Sequence, residues 1–262
     1  MKKLSTLVLL SLLLSLAVGV GPIRAQISPV INEFVFNHTG SDSHEYVEIY
    51  GDVNTDYSAF TIVEIEGDGT EAGLIDDGTV AVGTTDASGF WWTGFQADLY
   101  ENGTNTLLLV TDYSGAVGLD VDTDDDGVID TPYWTAIIDG VGVHDGGASD
   151  HTYAGVELGD NYDGLSSYHP GGASRIPNGF DSDSMWDWRR NDFDGAGLPN
   201  PPFDSPTFDN GEALNTPNAT NDVATAVTLA SLEASSARLP AAALGLALLL
   251  GGAGLAVWRK RR

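Results

Sequence analysis

Cysteine is absent from the 262 residues. Disulfides, a thiolate zinc site and a cysteine nucleophile are therefore excluded. Basic residues are nearly as scarce: 11 Lys+Arg stand against 38 Asp+Glu, a net charge of −27. Lys2, Lys3 and Arg24 lie at the front, and Arg259, Lys260, Arg261 and Arg262 at the back. Only Arg175, Arg189, Arg190 and Arg238 remain between them, while every acidic residue falls between Glu33 and Glu233. A middle with four bases and 38 acids repels phosphate, so nucleic-acid binding through a basic patch is excluded. Helical periodicity is missing too. No window from Gln26 to Asn221 sustains a 3.6-residue apolar repeat.

What is present is enough apolar side chain to build a core: 42% of residues, with 19% charged. Met1–Ala25 reads as a secretory signal, with Lys2 and Lys3 ahead of the apolar run Leu4–Val20 and Ala25 before the cut. Pro240–Trp258 carries no charge and is followed by Arg-Lys-Arg-Arg. As a helix it would span ~28 Å, close to the ~30 Å hydrocarbon thickness of a bilayer. The basic cluster places such a tail in the cytoplasm and the middle outside. The expected organisation is a signal peptide (1–25), a β-domain (26–221), an Ala/Ser/Thr-rich stalk (222–238) and a transmembrane anchor with a basic tail (239–262). That layout makes the chain an exported protein of the cell surface, with the membrane as one partner. Lack of cysteine in an exported domain suggests a prokaryotic envelope.

Strands are expected near Pro29–Phe36, Glu45–Ile49, Ala59–Glu66, Thr79–Val82, Thr106–Thr111, Trp134–Val143 and Thr152–Val156, with shorter ones near Ser174–Ile176 and Met185–Arg189. In Ala59–Glu66, Phe60, Ile62, Glu64 and Glu66 share one side, and Thr61, Val63 and Ile65 the other. Connections rich in Gly and Asp supply the positive-φ positions of tight turns. Trp186 and Trp188 alternate with Asp187, which predicts that both face the core. Phe90-Trp91-Trp92 with Phe95 reads as an apolar plug in an insertion, or as a sugar-stacking platform.

Three patches together resemble a lamin-tail domain: Val30–Phe36 followed by Glu45–Ile49, the mid-domain run Thr106–Val110, and Leu214-Asn215-Thr216-Pro217-Asn218-Ala219-Thr220-Asn221. The last is similar to the family's closing Thr-Pro-Gly-x-x-Asn, with Asn218 in place of the Gly. The resemblance covers roughly Ile27–Asn221. It implies an all-β, Ig-like β-sandwich with long loop insertions at Gly67–Asn102, Asp112–Pro132 and His144–Ala173. With the C-terminal transmembrane helix added, this is the expected fold class. It also implies a structural or binding module rather than a chemistry, with envelope polysaccharide or another surface protein as candidate ligands.

The strongest chemical motif is the run Asp120–Asp130. With Asp122 as position 1 of a calcium loop, Asp124 falls at position 3, Asp126 at 5, Gly127 at 6, Val128 at 7 and Asp130 at 9. Alternate carboxylates in a tight loop converge on one point, and the Gly permits the turn. The expected Ca²⁺ ligands are Asp122, Asp124, Asp126, Asp130 and the backbone carbonyl of Val128, for a structural ion. Tyr133 at position 12 and the absence of flanking helices disfavour an EF-hand proper; the alternative is a solvated acidic turn. Asp181, Asp183 and Asp187 form a weaker group, with arginine ion pairs competing for it. His144 with Asp145, and Asp150 with His151, could make acid–base pairs, although loop histidines beside acids more often make surface hydrogen bonds. No metalloprotease or nucleophile-elbow motif occurs. The competing function is an extracellular calcium-dependent hydrolase, of phosphodiesterase or glycosidase type, with its site in the insertions.

Overall fold

A computed structural model describes residues 27–37, 42–192 and 212–223. Ten strands form: β1 (Val30–Val35), β2 (Tyr46–Tyr50), β3 (Phe60–Glu66), β4 (Val80–Ala81), β5 (Phe90–Trp92), β6 (Asn105–Thr111), β7 (Ala136–Val143), β8 (Glu157–Leu158), β9 (Gly172–Arg175) and β10 (Trp188–Asp192). They make two five-stranded sheets, ordered β10-β9-β1-β2-β5 and β4-β3-β6-β7-β8. Every pairing is antiparallel except β7 with β8.

Alternation decides which side chains meet between the sheets. Ile31, Phe34, Val47 and Ile49 from the first sheet pack with Ile62, Leu107, Leu109, Val141 and Val143 from the second. Each such side chain gains ~1.5–3 kcal/mol from burial. The intervening residues of the second sheet do not face water. Val63, Ile65, Leu108 and Val110 form another cluster with Ile75, Val121 and Tyr153, brought over the sheet by long connections. Both faces of β3 and β6 are therefore buried, which is why β6 reads as a continuous apolar run.

The sheets are also joined by charge. Arg175 on β9 and Asp139 on β7 form an ion pair at 2.8 Å, with the guanidinium wholly buried. Arg175 further donates to the carbonyls of Ile31 and Phe180 and to Asp181, and stacks 4.4 Å from the centre of the Trp188 ring. Asp139 Oδ2 accepts the Ile31 N–H at 2.8 Å.

The expected fold class needs correction. The described residues contain two three-residue 3-10 turns, Gly69–Glu71 and Met185–Asp187, no α-helix, and no helix long and apolar enough to cross a membrane. Their longest element is the eight-residue β7. The expected anchor, Pro240–Trp258, lies outside the described residues, as do the signal peptide and most of the stalk. The five-plus-five arrangement also departs from an Ig-like scheme, because the insertions are not merely loops. Gly67–Asn102 supplies β5 as well as β4, which falls inside the expected strand Thr79–Val82, and His144–Ala173 supplies β8, so two edge strands, β5 and β8, come from chain read as excursions.

Two finer expectations also change. Thr152–Val156 is not a strand; the pairing with β7 begins at Glu157. Trp188 is 1% exposed but Trp186 is 67% exposed. Met185–Asp187 is a 3-10 turn, with Ser184 Oγ accepting the Trp186 N–H, so period-2 alternation does not apply there. Phe90-Trp91-Trp92 forms the edge strand β5 on β2, with Trp91 packed against the core between the sheets and Trp92 and Phe95 edge-on against Tyr46.

Candidate functional site

The acidic loop hangs from the outer face of the second sheet. Val121 is fully buried there, and its carbonyl accepts from the N–H groups of Asp130 and Thr131 at 2.7 and 3.1 Å, closing the loop at its neck. Ile129 packs against the same cluster. Inside the loop, Asp122 is fully buried. Its Oδ1 accepts from Asp126 N at 3.2 Å, and its Oδ2 from Gly127 N at 2.8 Å and from Tyr153 Oη at 2.9 Å. One carboxylate thus organises the whole turn. Burial, reinforced by Asp122, pushes the Tyr153 hydroxyl well above its usual range, so it stays a donor.

Carboxylate oxygens of Asp122, Asp124 and Asp130 lie within 4.8 Å of one another. Three of the four expected carboxylate ligands therefore converge. Asp126 is outside that group; its Oδ1 accepts the Val128 N–H at 3.0 Å. The Val128 side chain is exposed. Asp130 Oδ2 also accepts from Thr123 Oγ1 at 2.9 Å. The charge of Asp126, then burial and the charge of Asp130, pushes the Asp124 carboxyl up. Hard oxygens at this spacing suit Ca²⁺, which takes 6–8 of them at 2.3–2.6 Å.

Gly127 is fixed by conformation and by space. Its φ is +83°, and a Cβ would lie 2.8 Å from His151 Nδ1. Gly127→Ala is expected to cost roughly 1–2 kcal/mol from backbone strain alone. That is a fall of several degrees in melting midpoint, which a thermal melt checks.

Two more carboxylate groups lie nearby in the chain. Asp68, Asp145 and Asp150 converge on Thr104, whose N–H donates to Asp68 Oδ1 at 2.9 Å and whose hydroxyl donates to Asp145 Oδ1 at 3.0 Å. Gly69 N donates to Asp150 Oδ1 at 3.0 Å. Asp145 and Asp150 therefore turn toward Thr104, and His144 Nδ1 accepts from Gly146 N. Glu66, Asp76 and Glu101 form the other group. Asp181 and Asp187 pair with Arg175, at 3.0 and 3.6 Å, rather than with the sequence-adjacent arginines. Arg190 pairs instead with Asp163 at 2.7 Å.

Sequence reasoning missed a buried carboxylate pair, Glu33 and Glu48, on the outer face of the first sheet. Both are fully buried because Glu212–Val223 lies across them. Glu33 Oε1 accepts from Ser174 Oγ at 2.8 Å, Thr216 N at 3.0 Å and Asn191 Nδ2 at 3.2 Å. Glu48 accepts from Asn32 Nδ2 and from Asn218 N. Asn221 Nδ2 donates to the carbonyls of Asn32 and Arg175 at 3.1 and 2.9 Å. Asn218 has φ +64°, the left-handed conformation that Asn tolerates where Gly is usual. Two of the three sequence patches, the opening Val30–Ile49 and the closing Leu214–Asn221, thus meet around this pair. The signal was present in their co-occurrence, without any hint of contact.

Compared with known proteins, the chain matches no family model, no curated protein and no solved structure.

Proposed function

We propose that the chain is an exported, non-catalytic binding or structural module of the lamin-tail kind, stabilised by Ca²⁺ in the Asp120–Asp130 loop. One observation carries this reading. Asp122 gives its oxygens to the loop's own backbone and to Tyr153, while Asp124 and Asp130 bring theirs within 4.8 Å of it. The loop is thereby shaped for a cation and anchored to the β-domain through Val121. The other perturbed acids are used in the same structural way. Burial raises the Glu45 carboxyl to about 7 while its Oε2 holds the N–H groups of Leu99 and Tyr100. Envelope polysaccharide or a surface protein is the class of ligand that such a module would take.

The test is a thermal melt of the full chain in millimolar Ca²⁺, in Mg²⁺ and in EGTA. Extracellular calcium modules bind at ~10⁻⁴–10⁻³ M. At ten times Kd, binding adds ~1.4 kcal/mol. EGTA is expected to lower the midpoint by several degrees, with Mg²⁺ a poor substitute because it demands tight octahedral geometry. Identical melts in Ca²⁺ and EGTA would leave the loop a solvated turn. A screen of phosphodiester, ester and glycoside substrates is expected to show no turnover. Activity that disappears in Asp124→Ala would instead establish the calcium-dependent hydrolase.

A further inference from the structure

β3 ends in Glu66, which is 6% exposed and shares the inner face with Ile62 and Glu64. Its cross-strand partner on β6 is Asn105, fully buried on the same face. Carboxylate oxygens of Glu66, Asp76 and Glu101 lie within 4.8 Å of one another. Each is held by backbone. Glu66 Oε1 accepts from Gly67 N and Asp68 N at 2.8 and 2.7 Å. Asp76 N donates to the Glu64 carbonyl at 3.1 Å, and Glu101 N to Glu64 Oε1 at 3.0 Å.

Three acids alone would signify little, but Asn105 adds an independent fact. Its Nδ2 donates to Glu64 Oε1 at 2.6 Å and reaches the Glu101 carbonyl at 3.5 Å, while its Oδ1 has no hydrogen-bond partner. Turning the amide over would set Oδ1 against the Glu101 carbonyl, which can only accept. An orphaned amide oxygen inside a protein is costly, and such a group calls for an explanation. No arginine among the described residues forms an ion pair with these carboxylates. A hard cation answers both needs, since carboxylates and an amide oxygen are ligands of the same kind for it.

We propose that Glu66, Asp76, Glu101 and Asn105 Oδ1 form a second divalent-cation site of the Ca²⁺ class, separate from the Asp120–Asp130 loop. The site fastens the connection between β3 and β4, and the turn before β6, to the inner face of the second sheet. Three carboxylates and one amide oxygen supply four to seven ligand atoms, according to how many carboxylates bind through both oxygens, and water completes the shell.

The experiment is a calorimetric Ca²⁺ titration of the full chain in five forms: unaltered, Asp124→Asn/Asp130→Asn, Glu101→Gln, and the loop variant with either Glu101→Gln or Asp76→Asn added. Glu101 is exposed, so its replacement leaves the core intact. The unaltered chain is expected to bind two equivalents and the loop variant one. Adding Glu101→Gln to the loop variant should weaken the remaining equivalent at least tenfold, and Asp76→Asn should do the same. A loop variant that binds no Ca²⁺ overturns the second site. So does a remaining equivalent indifferent to both Glu101→Gln and Asp76→Asn. Failure of the loop assignment looks different: the unaltered chain and the loop variant then bind equally.

Discussion

Arg175→Met is expected to cost the fold about 3–5 kcal/mol, because removing one partner of a buried ion pair leaves the other charge uncompensated. For a domain of this size that is a fall of roughly 6–20 °C in melting midpoint. The guanidinium ties both sheets together. It holds Asp139 through two contacts at 2.8 and 3.0 Å, and it reaches the Ile31 carbonyl at 2.8 Å. Burial pushes the Asp139 carboxyl up, against the lowering effect of Arg175. Without Arg175 the raising influence of burial is opposed only by the N–H groups of Ile31 and Gly140, and Asp139 takes up a proton or stays buried and charged. Arg175→Lys should recover little, since a point charge cannot serve two carbonyls and two carboxylates in a planar fork. The double variant Arg175→Met/Asp139→Leu is expected to be more stable than Arg175→Met alone, because the orphaned carboxylate goes with it. Thermal unfolding of the three variants beside the unaltered protein checks this. A midpoint for Arg175→Met within two degrees of the unaltered protein would remove Arg175 from the account of stability.

The second large effect is on pH. Stability in EGTA is expected to fall as pH rises from about 5 to 9, opposite to a protein whose carboxylates are held by arginine. Burial raises Glu64 to about 8 and Glu45 and Glu66 to about 7, from 4.5. Burial also raises Glu33, and raises Glu48 further with the charge of Glu33 beside it. For each group the folded pKa exceeds the unfolded one. Between the two values the folded chain binds more protons, so stability is complete below about 4.5 and drains away as pH climbs through 7 to 8. Repulsion within a chain of net charge −27 acts in the same direction.

Within the coupled pair the proton belongs on Glu48. Glu33 accepts from Ser174, Asn191 and Thr216, and those donors favour its ionised form. Glu48→Gln trades one accepted hydrogen bond for an amide donor, costing about 1 kcal/mol, and deletes one titration. Its deficit against the unaltered protein is expected to shrink from pH 5.5 to pH 8.5. Glu33→Ala leaves Ser174 Oγ and Thr216 N without their acceptor, while Asn191 Nδ2 keeps Ser174 Oγ and the Phe34 carbonyl, and should lose ~2 kcal/mol or more. Melts across that range decide the matter. A midpoint that climbs with pH would mean the buried glutamates are compensated by something else.

How much of this could be read from the chain follows from range. β1, β2, β3, β6 and β7 announce themselves because five or more alternating or apolar residues carry a local pattern. β5 and β8, at three and two residues, carry none, and are strands only because a neighbour's edge was open; β4, also two residues, falls inside the expected strand Thr79–Val82. The convergence of Asp122, Asp124 and Asp130 was legible because a tight turn fixes it within nine residues. That Asp126 turns to Val128 N instead was not, since either partner satisfies the same spacing. Arg175 and Asp139 are 36 positions apart, and no spacing rule joins them. Glu33 and Glu48 stand on the outer face of β1 and β2, opposite the core residues Phe34 and Val47. They are buried because Glu212–Val223 adds cover to a face that alternation alone would give to water.

The central claim is that the Asp120–Asp130 loop holds Ca²⁺ and that the ion stabilises the β-domain. The most direct measurement is the calorimetric Ca²⁺ stoichiometry of the full chain beside Asp124→Asn/Asp130→Asn, with a melt of each in Ca²⁺ and EGTA. The account expects the variant to bind one equivalent fewer and to lose most of the Ca²⁺-dependent rise in midpoint. Superimposable titrations, with the same response to EGTA in both proteins, would contradict it.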